Sequence, residues 1–178
     1  MVAGERESGL QRRTVAIVKV MLTVAGGGFL WQSRNVALGL AEVAELHYVS
    51  GEPWHNLEGS GLPDGVRHEV PAVTTFADRH PLRKARNALR ASFSCLRLMR
   101  EVRPEAVVCV ATSLAIPLCL CGRLLGVRTV FVESITRVNS PSATGKLLSR
   151  LRLCDRLYVQ WPEAASLYPG AVYRGALL

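Results

Sequence analysis

Residues Val15 to Val24 form a β-branched, largely apolar run that ends abruptly on Ala25-Gly26-Gly27-Gly28. A continuous run of this kind, closed by glycines, fits a strand buried on both faces. Such a strand needs helices packed on each side of its sheet, so one short segment already points to an α/β chain.

The rest of the sequence keeps that alternation. Trp31 to Glu45 supports a helix through Val36, Leu38, Leu40, Val43 and Ala44, weakened by Gly39. Leu46 to Val49 reads as a second strand, Gly51 to Pro63 as a long loop, and Val66 to Val73 as a third strand interrupted by Pro71. Pro81 opens the clearest helix, in which Leu82, Ala85, Leu89, Phe93, Leu96 and Met99 recur at three- and four-residue spacing. That face is expected to be dry, with Arg83, Lys84, Arg86, Arg90, Arg97, Arg100 and Arg103 filling much of the remainder before Pro104 stops the helix. Beyond it, Ala106–Ala111 and Arg128–Val132 read as strands around a helix at Ser113–Leu125 closed by Gly126. Ser140 and Pro141 are expected to cap and open a helix to about Leu151. Leu157–Gln160 is a strand, Pro162 starts a short helix, and Ala171–Tyr173 is a last short strand. The fold class expected is a doubly wound, mostly parallel Rossmann-like sheet. Residues 1–14 are expected to be a flexible tail and 15–178 a single domain.

Charge and cysteines bound the setting. A net charge of +8 suits an anionic partner or simply a basic surface. Five cysteines, an odd number in apolar contexts, argue against a secreted disulfide framework and for a reducing compartment. Cys119 and Cys121 form a lone C-x-C, read as buried small side chains, and no metal site is expected. The four histidines have neither metal nor triad spacing and are assigned to loops and surface. The polar residues 1–14 do not resemble a signal peptide, and Ala106–Cys121 falls short of the ~20 apolar residues a spanning helix needs. The expectation is a cytoplasmic protein without a membrane-crossing segment. Its arginine-rich helix is read either as a solvated surface or as a dock for anionic lipid headgroups. No nucleic-acid module accompanies the charge, so nucleic acid is not expected as a partner.

Ligands of an open parallel sheet sit beyond the carboxyl ends of its strands. Gly26, Gly27 and Gly28, then Thr112 and Ser113, then Glu133 to Arg137, then Gln160 to Glu163 all fall at such ends. The glycines let backbone N–H groups approach an anion such as a diphosphate, or else form only a tight turn. They do not make the dinucleotide fingerprint, because Trp31 stands at its last glycine counted from Gly26. Glu133 reads as a general base or a sugar-hydroxyl ligand, or alternatively as the salt-bridge partner of Arg137, which in turn suits a phosphate. Thr112 and Ser113 read as helix caps or as substrate contacts.

The run V-F-V-E-S-I-T-R-V-N-S-P-S-A-T-G-K-L-L from Val130, C-D-R-L-Y-V-Q-W-P-E from Cys154 and Y-P-G-A-V-Y-R-G from Tyr168 resemble the asparagine-linked-glycosylation-fourteen family and its bacterial PssD and CpsF relatives. The resemblance spans about Lys19 to Leu178. It implies the N-terminal, acceptor-side half of a GT-B glycosyltransferase, a hexosyltransferase active only with a small donor-binding subunit. That partner would bring the nucleotide-sugar, and the acceptor would be a polyprenyl-diphosphate-linked sugar. On this reading Gly26, Gly27, Gly28, Thr112, Ser113 and Arg137 bind the acceptor and Glu133 is catalytic. Gln160, Trp161, Pro162, Glu163, Tyr168 and Tyr173 would face the partner subunit. No cofactor is implied. Attachment would be peripheral, on an anionic cytoplasmic membrane face. One departure stands out: the family's first turn carries a histidine where this chain has Phe29. That leaves open a non-catalytic scaffold that recruits the donor-binding subunit.

Overall fold

The computed structural model describes residues 18–73 and 81–177. The expected tail, 1–14, lies outside them, as does the start of the first expected strand. Seven strands form one sheet in the order β3-β2-β1-β4-β5-β6-β7. They are β1 (Val18–Val24), β2 (Ala44–Ser50), β3 (Val66–Glu69), β4 (Ala106–Val110), β5 (Arg128–Val132), β6 (Arg156–Val159) and β7 (Val172–Tyr173). Every pairing is parallel. The helices are α1 (Gly28–Leu40), α2 (Pro81–Val102), α3 (Ala115–Leu125) and α4 (Ala143–Arg150), with 3-10 turns at Trp54–Leu57 and Glu163–Leu167. The expected doubly wound Rossmann-like sheet is what forms.

Two cores explain the central apolar run. Met21 faces the layer of α2, α3 and α4, packing in one cluster with Cys95, Met99, Val107, Leu118 and Phe131. Val20, Leu22 and Val24 face α1, in a second cluster with Ala37, Leu46 and Tyr48. Cys109, Cys119 and Cys121 are buried, as small apolar side chains are. Cys95 is held up at about 12, first by burial and then by Cys121, so its thiol stays protonated.

The structure revises three of these expectations. α2 rests on the core through Ala91, Cys95, Met99 and Val102, so of the expected face Met99 docks fully and Leu96 in part. Leu82, Leu89 and Phe93 instead stand in solvent at 84%, 72% and 72% exposure. Small side chains at 91 and 95 let α2 approach its neighbours closely, and the larger apolar stripe is turned outward. The second revision concerns His47, which is buried on β2 rather than in a loop. Its Nδ1 lies 3.0 Å from Nε2 of His68 on β3. The cap of α4 also falls two residues later than expected, at Ser142, whose hydroxyl accepts from the Gly145 N–H at 2.9 Å.

The strand order reverses between β1 and β4. Their pairing runs only from Val20↔Ala106 to Leu22↔Val108. Beyond it the strands separate, and the Val110 N–H is satisfied by the Thr23 hydroxyl at 2.9 Å. A crevice opens there.

Candidate functional site

A cavity of about 590 Å³ occupies that reversal point. Its walls are the glycine turn after β1 (Gly26, Gly27, with Phe29), the segment after β2 (Gly51, Glu52, Asn56) and the turn after β4 (Ala111 to Leu114). Gly27 has φ +66°, the left-handed conformation that glycine adopts without strain, and forms the N-cap of α1. Ala111 has φ 53°, a strained setting for a residue with a Cβ, directly at the cavity wall. Four of the expected acceptor residues, Gly26, Gly27, Thr112 and Ser113, thus meet in one place. Gly28 begins α1 beside them. The Thr112 hydroxyl accepts from the Leu114 N–H at 3.3 Å, which caps the turn into α3.

Glu52 is the residue that sequence reasoning missed. Its Oε1 accepts the Gly26 N–H at 3.0 Å, so a carboxylate of the chain already sits on the first amide of the glycine turn. Glu52 is the one titratable side chain among the described residues lining the cavity. It follows β2 directly, so the carboxyl-end rule, applied to that strand as to the others, would have found it.

Glu133 and Arg137 do not line this cavity. The Glu133 side chain is 1% exposed and points into the interior. Its Oε1 accepts from the Ser134 N–H at 2.8 Å. Its Oε2 accepts from the Ser142 hydroxyl at 2.6 Å and from the Tyr168 phenol. Burial first, then the hydrogen bond to Glu133, pushes the Tyr168 phenol up to about 12, so it remains a donor at neutral pH. Arg137 is exposed, and among the described residues it makes no ion pair with Glu133.

Gln160 and Tyr168 are likewise internal, at 2% exposure each, and so hold the loops together beneath the surface. Gln160 Nε2 donates to the Glu133 carbonyl at 2.8 Å and to Gln32 Oε1 at 2.6 Å. Gln32, buried on α1, also accepts from the Ile135 N–H at 3.0 Å, binding α1 to the loop after β5. Trp161 Nε1 donates to the Ile135 carbonyl at 2.6 Å, and Leu177 N–H donates to Gln160 Oε1 at 2.9 Å. Pro162, Glu163 and Tyr173 are exposed at the β6–β7 edge. Among the described residues no cluster of three metal-ligating side chains occurs, and no helix is long and apolar enough to cross a membrane.

Comparison with known proteins gives these motifs a family. Residues 81–177 match the model of the family described as "Oligosaccharide biosynthesis protein Alg14 like". The UDP-N-acetylglucosamine transferase subunit ALG14 of Yarrowia lipolytica is 31% identical over 99% of this chain and 88% of its own length. The chain belongs to the Alg14 family. Human ALG14, named as a subunit of the same transferase, is 37% identical over 46% of this chain and 39% of its own length. Among solved structures, Acinetobacter baumannii MurG superposes with a TM-score of 0.68 at 21% identity. That superposition covers 89% of this chain and 45% of MurG, so the Alg14 fold is that of one half of a MurG-type GT-B chain. The expected GT-B-half architecture is therefore observed, and the family-matched segment carries the turn after β4, the Glu133 cluster and the Gln160-Trp161 contacts.

Proposed function

We propose that this chain is the acceptor-side subunit of a two-chain glycosyltransferase, moving a hexosyl group from a nucleotide-sugar to a polyprenyl-diphosphate-linked acceptor. The observation that carries this reading is the cavity at the β1/β4 reversal in a chain that corresponds to 45% of a MurG chain. A reaction that joins a donor and an acceptor hydroxyl needs both held in one cleft. A second, donor-binding chain would supply the other wall. The names of the curated relatives make UDP-N-acetylglucosamine the donor to test first.

The acceptor diphosphate would lie on the amides of Gly27 and Gly28 at the start of α1 and on the hydroxyls of Thr112 and Ser113. The Gly26 amide is engaged by Glu52 and is not available in the same way. Arg137, exposed after β5, would meet the acceptor sugar or phosphate at the rim. Glu133 acts in this reading as a positioning residue, keeping the loop after β5 and the start of α4 in place. Trp161, Pro162, Glu163 and Tyr173 would meet the partner subunit, with Gln160 and Tyr168 shaping that surface from beneath. Leu82, Leu89 and Phe93, flanked on α2 by Arg83, Arg86, Arg90 and Arg97, would seat the protein peripherally on an anionic cytoplasmic membrane face, where the lipid acceptor is found.

Radiolabelled sugar transfer to extracted lipid acceptors tests the proposal with this chain alone, its donor-binding candidate alone, and the two co-expressed. Activity in the mixture alone is the expected result. Full activity from this chain by itself would overturn the split reading. Activity that persists after Gly27 and Thr112 are both replaced by bulky side chains would favour a scaffold whose cavity is idle.

A further inference from the structure

We propose that Glu52 is the general base that takes the proton from the acceptor hydroxyl; the proposal rests on the transferase reading above. A sugar hydroxyl attacks an anomeric carbon efficiently when a positioned base removes its proton as the new bond forms. The cavity at the β1/β4 reversal is lined by glycines, alanines, Phe29, Val73, Asn56, Leu114 and two hydroxyl residues, and among the described residues Glu52 is the one carboxylate there. Among the described residues no histidine lines it; Phe29 does.

The carboxylate is held rather than loose. The Glu52 N–H donates to the Ser50 hydroxyl at 2.9 Å, which anchors the backbone as it leaves β2. Oε1 is fixed by the Gly26 N–H at 3.0 Å. Oε2 has no hydrogen-bond partner among the described residues, and it lies 3.1 Å from where a Cβ on Gly26 would be. Gly26 therefore leaves the space that this oxygen uses. A carboxylate in the cavity lining with one oxygen positioned by the backbone is an arrangement that suits a proton acceptor.

The step balances as follows. The acceptor O–H bond breaks and its proton passes to Oε2, while the oxygen electron pair forms the new bond to the anomeric carbon. The bond from that carbon to the donor phosphate breaks, and its electron pair leaves with the nucleoside diphosphate. Glu52, now neutral, returns the proton to water after the product departs. With the carboxylate over the reacting hydroxyl, the acceptor diphosphate is kept to the far side of the turn, against the amides of Gly27 and Gly28.

E52Q tests this in the co-expressed complex, because glutamine still offers an oxygen to the Gly26 N–H but cannot act as a base. With wild-type complex transferring sugar, E52Q is expected to lower kcat by about 10²–10⁴-fold, with the acceptor KM changed by less than about threefold. The acid limb of the kcat/KM pH profile is expected to disappear with it, and E52D is expected to retain more activity than E52Q. An E52Q complex within a few fold of wild-type kcat, or one that loses only acceptor KM, would overturn the proposal. A wild-type complex that transfers no sugar would overturn the transferase reading itself, which is a separate failure.

Discussion

The Tyr168 phenol donates to Glu133 Oε2, the same oxygen that accepts the Ser142 hydroxyl at 2.6 Å. Tyr168 also accepts the Ser142 N–H at 2.8 Å. Three segments far apart in sequence, the end of β5, the cap of α4 and the end of the 3-10 turn at 163–167, are thus fastened through one buried carboxylate. A carboxyl group at 1% exposure is tolerated because both of its oxygens are hydrogen-bonded.

Removing that carboxylate should therefore be read first as a loss of stability. E133A leaves the donors of Ser134, Ser142 and Tyr168 without their acceptor, and a destabilisation of about 3 kcal/mol or more is expected. Y168F removes one charge-assisted bond and strands the Ser142 N–H, for about 1.5–3 kcal/mol. Denaturant unfolding of each variant measures both. Midpoints equal to wild type, with activity lost, would instead place Glu133 in contact with substrate.

Gly145 is bound to the same cluster. A Cβ there would run into the Glu133 carboxylate and approach the Tyr168 ring at 2.7 Å. G145A is expected to be destabilising by about 1–3 kcal/mol despite alanine being the better helix former. A stabilised G145A, seen as a raised thermal midpoint, would mean that the cluster is looser than its hydrogen bonds indicate.

How much of this was legible in the sequence differs between residues for physical reasons. The first strand and its glycine turn were readable because two-sided burial leaves a local mark, an unbroken apolar run. Glu133 was readable as a strand-end residue, but its direction depends on Ser142 and Tyr168, 9 and 35 residues away, which no local pattern encodes. In α2 the periodicity found the apolar residues correctly, yet of the six it named only Met99 is fully buried against the core and Leu96 packs there in part. Ala91 and Cys95 are small and carry little weight in a pattern dominated by Leu89 and Phe93, although close packing favours small residues at the contact. Glu52 sat in a stretch rich in glycine and proline that reads as loop, and only the strand before it gives it a place in the site.

The outward stripe of α2 supplies a third prediction. L89E/F93E places two carboxylates where apolar side chains would enter the interface, among arginines that would contribute roughly 1 kcal/mol each on an anionic surface. The wild-type protein is expected to co-sediment with vesicles containing phosphatidylserine, less so at high salt, and the double variant to remain in the supernatant. Both positions are 72% exposed, so the thermal midpoint should hardly move. Equal sedimentation of variant and wild type would remove α2 from the membrane reading.

The histidine pair between β2 and β3 makes stability depend on pH, with a definite sign. His68 is held below its ordinary value of 6.5, first by burial and then by the neighbouring His47, while Glu101 on α2 opposes the shift. The rings stack 5.3 Å apart, and His47 Nε2 meets Glu45 Oε1 at 3.0 Å, the oxygen that Lys19 approaches at 3.9 Å. Arg67, Glu69 and Arg97 share the groove with His68 and Glu101. Because the unfolded chain binds a proton more readily at His68 than the folded chain does, the contribution of this group is fully present above 6.5 and is lost as pH falls through the lower folded value. Unfolding midpoints compared at about pH 7.5 and about pH 5 isolate imidazoles, since ordinary carboxylates stay ionised across that range. The wild type is expected to weaken toward the acid end. H68Q, with no proton to bind, is expected to weaken less over the same interval. Parallel pH curves for the two proteins would show that His68 is not the group responsible.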